Sequence, residues 1–349
     1  MEPIIYMLPI SDKIIDLKKS DVHYEDKPSP KLIKYGFNTI IEQLDITSIT
    51  NISQYRAALS FDFENNNEDN ISAKLSVLFE SKNIDITFAE FWEMIMLFGL
   101  LKGNQNIYTS HPKTMENIVD IYQKMSQVKN NYTNNGKSPI SLVIFKYADS
   151  NIDIDENVGI QLLSNNLTKL LEMQTKEASM ILQLFGLQTQ TTIEFIYYLN
   201  SLYTESYLIK PIVISELSNS SYLVLKGLKN TPSSIHLPLP PKTNKNDETY
   251  LISIGLSHIP NEIVNIVQCM NSIVIPLKYN KYNQIKEYLN TKVYEGSTYQ
   301  EMLRAQYKNT DSWIEIFTNL KNMEKILDNS IKKSVITCGN YSQLIELLK

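Results

Sequence analysis

The chain has 349 residues, 43% hydrophobic and 20% charged, which is long enough for one or two domains with a sizeable core and unlike a disordered chain. Its 33 basic and 38 acidic residues leave a net charge of -5, which excludes whole-chain attraction to nucleic acid and confines any RNA contact to a local patch. Arg56 and Arg304 are the sole arginines, so bidentate readout of guanine or phosphate is nearly absent.

Residues 1–80 read as an N-terminal extension, with FENNNEDN at 63–70 as an exposed loop. Thr87 and Glu90 have the spacing of a capping box, and Phe88, Phe91, Trp92, Ile95 and Gly99 then recur at helical spacing, predicting a buried helix over 88–101. A short strand, NIYTS at 106–110, precedes a helix opened by Thr114 that carries Ile118, Ile121, Tyr122 and Met125. After an Asn-rich loop at 130–138, ISLVIFKY at 140–147 is a buried strand that needs cover on both faces. Ile160, Leu163, Leu167, Leu170 and Leu171 form a helical stripe, MILQLF at 180–185 a strand, and Ile193, Ile196, Tyr197 and Asn200 a further helix. SYLIKP at 206–211 and SYLVLKG at 221–227 are close enough to pair antiparallel. The expected domain over 81–230 is therefore α/β, with a mostly parallel sheet and an antiparallel edge hairpin. Pro232, Pro238, Pro240 and Pro241 mark a connector at 231–249. Residues 250–349 form a helical C-terminal region packed on the domain, with a second capping box at Ser312 and Glu315 and an apolar stripe of Trp313, Ile316, Phe317, Leu320, Met323 and Leu327.

Several chemistries have no carrier. Cys269 and Cys338 lack a histidine at ligand spacing, and His23, His111, His236 and His258 stand singly, so no metal is expected. No three of the ten glycines fall in a short window, which excludes the dinucleotide fingerprint and the P-loop. Two cysteines in a chain that starts MEPIIYMLPISDK imply a reducing, cytoplasmic location. The apolar stretch at 94–101 is too short for a membrane span.

Four strings, TFAEFWEMI at 87–95, ASMILQLFGLQTQTTIEFIYYLNSLYTESYLIKP at 178–211, SNSSYLVLKG at 218–227 and YQEMLRAQYKNTDSWIEIF at 299–317, resemble in order and spacing the FtsJ-type ribose 2'-O-methyltransferases, specifically the cap-modifying enzymes of large cytoplasmic DNA viruses. The resemblance implies a Rossmann-like methyltransferase fold. In that family a Lys-Asp-Lys-Glu tetrad surrounds the ribose hydroxyl, and a cation beside the developing alkoxide is what the chemistry needs. The four positions fall on Glu90, Lys146, Gln183 and Ser220 (or Ser221), and all depart from the pattern. The family's Arg-Pro falls on Ser215-Glu216 or Glu216-Leu217. Its short cofactor loop of Ala-Pro-Gly falls on Ser110, His111, Pro112 and Lys113, where no glycine permits close backbone approach. The resemblance thus implies a degenerate, inactive member with no cofactor, or S-adenosylmethionine if active. Its implied role is a scaffold or stimulatory subunit, with a protein partner in a viral mRNA capping or processing complex, in the cytoplasm, a viral factory or the virion. KPSPKLIKYGFNTIIEQL at 27–44 is similar to the N-terminal part of the small subunit of poxvirus capping enzyme. The alternatives are an active enzyme with Lys146 as a relocated catalytic lysine facing Glu90, and a virion structural protein.

The same residues have plainer readings. Glu90 is the capping partner of Thr87, and Gln183 is a buried amide bonded to its neighbours. Lys146 pairs with the acids of a solvated loop, Asp149, Asp153, Asp155 and Glu156. KYNKYNQIKEYLNTKVY at 278–294 interleaves Lys278, Lys281, Lys286 and Lys292 with Tyr279 and Tyr282, either an RNA-binding face or the wet side of a helix whose core stripe is Tyr282, Ile285 and Leu289.

Overall fold

The computed structural model describes residues 3–17, 21–26, 65–81, 84–101, 105–126, 139–149, 154–230, 249–256, 258–291, 297–319 and 323–337. The 27–44 string, the Asn-rich loop at 130–138, nearly all of the Pro-rich connector, Asp153, Leu320 and Cys338 lie outside them. The strands are β1 (Ile4–Met7), β2 (His23–Asp26), β3 (Ile107–Thr109), β4 (Ile140–Phe145), β5 (Gln174–Phe185), β6 (Tyr203–Lys210), β7 (Ser220–Leu228) and β8 (Thr249–Ser253). The helices are α1 (Asn65–Leu78), α2 (Ile86–Phe98), α3 (Pro112–Ser126), α4 (Glu156–Glu172), α5 (Gln190–Leu202), α6 (Asn261–Thr291), α7 (Ser297–Phe317) and α8 (Met323–Thr337).

Six strands form one sheet in the order β1-β6-β7-β5-β4-β3, and β2 and β8 form a separate pair. β3, β4 and β5 are mutually parallel, and β7 runs antiparallel between β5 and β6. The expected α/β order and antiparallel side are present, and β1 extends that side by pairing antiparallel with β6, Ile4 opposite Lys210. Residues 4–7 are thus part of the sheet itself. The apolar runs of β4 and β5 are buried on both faces because helices cover both. One face packs Ile160, Leu163 and Leu167 of α4, Ile193 and Phe195 of α5 and Ile263 and Val267 of α6. The other packs Leu75 of α1, most of α2, Met115 and Ile118 of α3, Trp313 and Phe317 of α7 and Ile331 of α8.

Steps from β3 to β4 and from β4 to β5 go the same way across the sheet, yet α3 and α4 cover opposite faces. The two crossovers therefore have opposite hands, and one departs from the strong preference for right-handed connections. Among the described residues no helix is long and apolar enough to cross a membrane.

Two local expectations are corrected. The Asn-rich segment read as a loop enters α1 at Asn65, where six polar residues lead into the buried Ile71 and Leu75. Ser312 and Glu315 do not cap a helix, because α7 already runs from Ser297 and passes through both.

Candidate functional site

The carboxyl ends of β4 and β5 and the start of β7 meet α2. Leu142, Ile144 and Ile181 belong to the α2-side core, so the two-residue period of a strand turns Lys146, beyond the end of β4, and Gln183 to that side. Gln183 stands opposite Tyr222 across β5 and β7.

α2 is capped by Asp85, whose side chain accepts from Phe88 N at 2.8 Å, and is closed by left-handed Gly99 at φ 57°, whose N–H reaches Ile95 O and Met96 O. The expected Thr87–Glu90 capping box is therefore absent, and the helix begins at Ile86. Asp85 already satisfies the first-turn amide, which leaves Thr87 and Glu90 to face the strand ends. Lys146 Nζ donates to Glu90 Oε2 and to Thr87 Oγ1, both at 2.9 Å, and the side chains of Lys146 and Glu90 are both 0% exposed. Tyr222 Oη donates to the same Glu90 oxygen at 2.5 Å, while Oε1 has no hydrogen-bond partner.

The partner expected for Lys146 is corrected accordingly. Asp155 is instead the N-cap of α4, accepting from Asn157 N and Val158 N. Glu156 accepts from Gln188 N, Thr189 N and the Thr189 hydroxyl, and its carboxyl sits above the ordinary range because burial outweighs those donors. Glu156 is therefore a helical residue with an enclosed carboxyl, while Asp155 is exposed at the helix start with its carboxylate engaged in the cap. Asp149 is exposed.

Gln183 uses both ends of its amide. Its Oε1 accepts from Tyr147 N and Ala148 N, and its Nε2 donates to Ala148 O at 2.9 Å and Ser220 Oγ at 3.1 Å. The four positions marked by the family resemblance thus converge as two contacting pairs, Glu90 with Lys146 and Gln183 with Ser220.

The loop after β3 adjoins this cluster. Ser110 Oγ donates to Lys146 O at 2.6 Å, accepts from Lys146 N at 3.0 Å and lies 2.9 Å from His111 Nδ1. Burial, with the charge of Lys146, holds the His111 imidazole below its ordinary pKa. α3 opens at Pro112, not Thr114, since Met115 N already bonds His111 O and proline suits the first helical position. Pro112 and Lys113 are exposed.

Two buried groups escaped the sequence reading. Glu93, one turn after Glu90, is 0% exposed and accepts from Ile212 N and Trp313 Nε1, each at 2.8 Å. Lys210 donates to Ser218 O at 2.8 Å and Ser220 O at 3.4 Å, and burial pushes its amine down to about 7. The available signal was a charge inside an otherwise apolar run, EFWEMIMLF for Glu93 and YLIKP for Lys210.

Of the lysine and tyrosine segment, Lys278 reaches Asn219 Oδ1 at 2.7 Å, which sets the start of that face beside the loop between β6 and β7. Tyr279 and Lys281 are half-buried. Tyr282 and Lys286 lie on α6 with side chains outside the described residues, as does all of Lys292.

No family model matches the chain. It is 42% identical over 353 residues to "Uncharacterized protein R383" of Acanthamoeba polyphaga mimivirus, covering 99% of each chain. A solved structure named as a ribosomal RNA methyltransferase from Plasmodium falciparum aligns with 40% of this chain and 96% of its own, at 15% identity and a TM-score of 0.31, a likeness too slight to assign an activity.

Proposed function

The chain belongs to the family of that mimivirus protein, and from this premise we propose that it is a methyltransferase-like protein without methyl transfer, serving as a scaffold or stimulatory subunit in viral mRNA capping or processing. The observation that carries this reading is the closed state of the cluster. A methyl-transfer site needs a cation beside a developing alkoxide. Lys146, the cation at the centre of this cluster, is fully buried and tied to Glu90 and Thr87. Gln183, where the resemblance calls for the polarising lysine, has its amide taken up by the backbone and Ser220. A hydroxyl brought to these strand ends meets no unengaged positive charge within the four marked positions. The convergence of those positions supports the likeness to the methyltransferase family, and their pairing supports loss of its chemistry.

S-adenosylmethionine is the cofactor if the protein is active. The residues that would hold it, Ser110 and His111, are engaged with Lys146 and the start of α3, and no glycine stands there to admit it. Calorimetric titration with S-adenosylmethionine and S-adenosylhomocysteine, followed by an assay for transfer to capped RNA, tests the reading. Neither binding nor transfer is expected. Transfer by the unmodified protein that disappears in Lys146→Ala would establish the active enzyme instead. Purification with virion components but with no capping or processing protein would favour the structural role.

A further inference from the structure

Lys210 ends β6 on the face of the sheet away from the cluster. Leu208 pairs with Leu223 and Ile209 with Tyr222, so the next rung brings Lys210 opposite Ser221. Leu208 and Leu223 belong to the core under α4, α5 and α6, and the two-residue period of the strands turns Lys210 and Ser221 to that same side. β7 thus opens with Ser220 bonded to Gln183 in the cluster and Ser221 facing the other way.

Three donors converge at this spot. Lys210 is 6% exposed and Ser221 4%, yet Ser221 Oγ has no hydrogen-bond partner among the described residues. A buried hydroxyl left unpaired is costly, and folded proteins seldom carry one. An ammonium has three N–H groups, and Lys210 gives one to Ser218 O at 2.8 Å and a longer one to Ser220 O at 3.4 Å, which leaves the third. Over the residue between those two carbonyls stands a second ammonium, Lys278 of α6, 2.7 Å from Asn219 Oδ1. We propose that Lys210, Ser221 and Lys278 form a binding site for a terminal phosphate group, carried by a free nucleotide or by the end of an RNA chain.

The chemistry selects an anion. The oxygens of the stretch are already engaged, Ser218 O and Ser220 O by Lys210, Asn219 Oδ1 by Lys278 and Asn219 O by Gly186 N. What remains to be met is an N–H and an O–H, both seeking an acceptor. Two ammonium groups on one short stretch suit the double charge of a terminal phosphate better than the single charge of an internal diester. The carboxylates that act on Lys210 are Glu216, in the same loop, and Glu90, which Lys146 compensates. Burial first, and Lys278 second, push the Lys210 amine down to about 7, and a phosphate between the two cations relieves the second of these. Lys278 and Asn219 are half-buried, so the ligand enters past them. Because this site and the Glu90–Lys146 cluster lie on opposite faces of the sheet, it holds whether or not methyl transfer has been lost.

Calorimetric titration of the full chain with inorganic pyrophosphate is the test. Binding is expected, weakened about tenfold in Ser221→Ala and about tenfold in Lys278→Ala. Ser221→Ala removes a hydroxyl that bonds nothing in the folded chain, so its thermal unfolding should match the parent's, and a merely structural hydroxyl would leave pyrophosphate binding unmoved. Lys210, which also staples the loop, stays in place in both variants. Competition tells the two sources apart. Displacement of pyrophosphate by a 5'-phosphorylated oligoribonucleotide, and not by its 5'-hydroxyl form, assigns an RNA end, while displacement by a nucleoside monophosphate alone assigns a free nucleotide. No binding at millimolar pyrophosphate, binding that Ser221→Ala leaves unchanged, or equal displacement by the two oligonucleotides would overturn the site.

Discussion

Lys146→Met is the most decisive perturbation of the cluster. It removes the Nζ that donates to Glu90 and Thr87 and leaves the Glu90 carboxylate, 0% exposed, with Tyr222 as its one remaining donor and with Oε1 already unpartnered. Removing one member of a buried ion pair costs about 3–5 kcal/mol, because the other charge stays buried without compensation. Adding Glu90→Gln removes that charge while keeping an acceptor for Tyr222, so the double variant is expected to return to within about 1–2 kcal/mol of the parent. Urea unfolding of the parent, both single variants and the double variant gives the coupling energy directly, provided the slope with denaturant is unchanged. A cost below about 1 kcal/mol for Lys146→Met, the value of a solvated surface pair, would refute the claim that the pair is sealed. The inactive reading would lose its support with it.

Gln183→Lys, which restores a lysine where the resemblance calls for one, should lower stability by about 2–4 kcal/mol, since Tyr147 N and Ala148 N lose their acceptor, and should yield no transfer to capped RNA; thermal unfolding and a transfer assay check both halves. Lys278→Ala with Lys281→Ala should weaken RNA binding and reduce its salt slope by about 1.4, the share of two single-strand phosphate contacts. An unchanged slope would make these lysines the solvated side of α6.

The strands of the sheet were readable where burial on both faces writes a continuous apolar run, as in ISLVIF of β4 and ASMILQLF of β5. β1 was not, because a four-residue edge strand carries too little pattern and its partner β6 lies about 200 residues away. The false capping box at Thr87 shows how a local motif fails. Asp85, two residues earlier, competes for the same role and wins, and a three-residue spacing cannot reveal that Thr87 and Glu90 have a strand-end lysine to bind instead. The marked positions could be placed by their order along the chain. Their pairing could not, since Lys146 chooses Glu90, across the fold, over acids only a few residues away.

β1 also sets a timetable for synthesis. Its partner Tyr207–Lys210 leaves the ribosome about 200 residues later, roughly 10–40 s at usual rates of elongation. For that interval Ile4–Met7, apolar and with every ladder hydrogen bond unmade, is an open edge available to any other nascent strand. The helix packed on β1, α8, arrives last of all the described elements. Faster elongation to residue 210 shortens that exposure, and a chaperone bound over residues 4–7 would cover it.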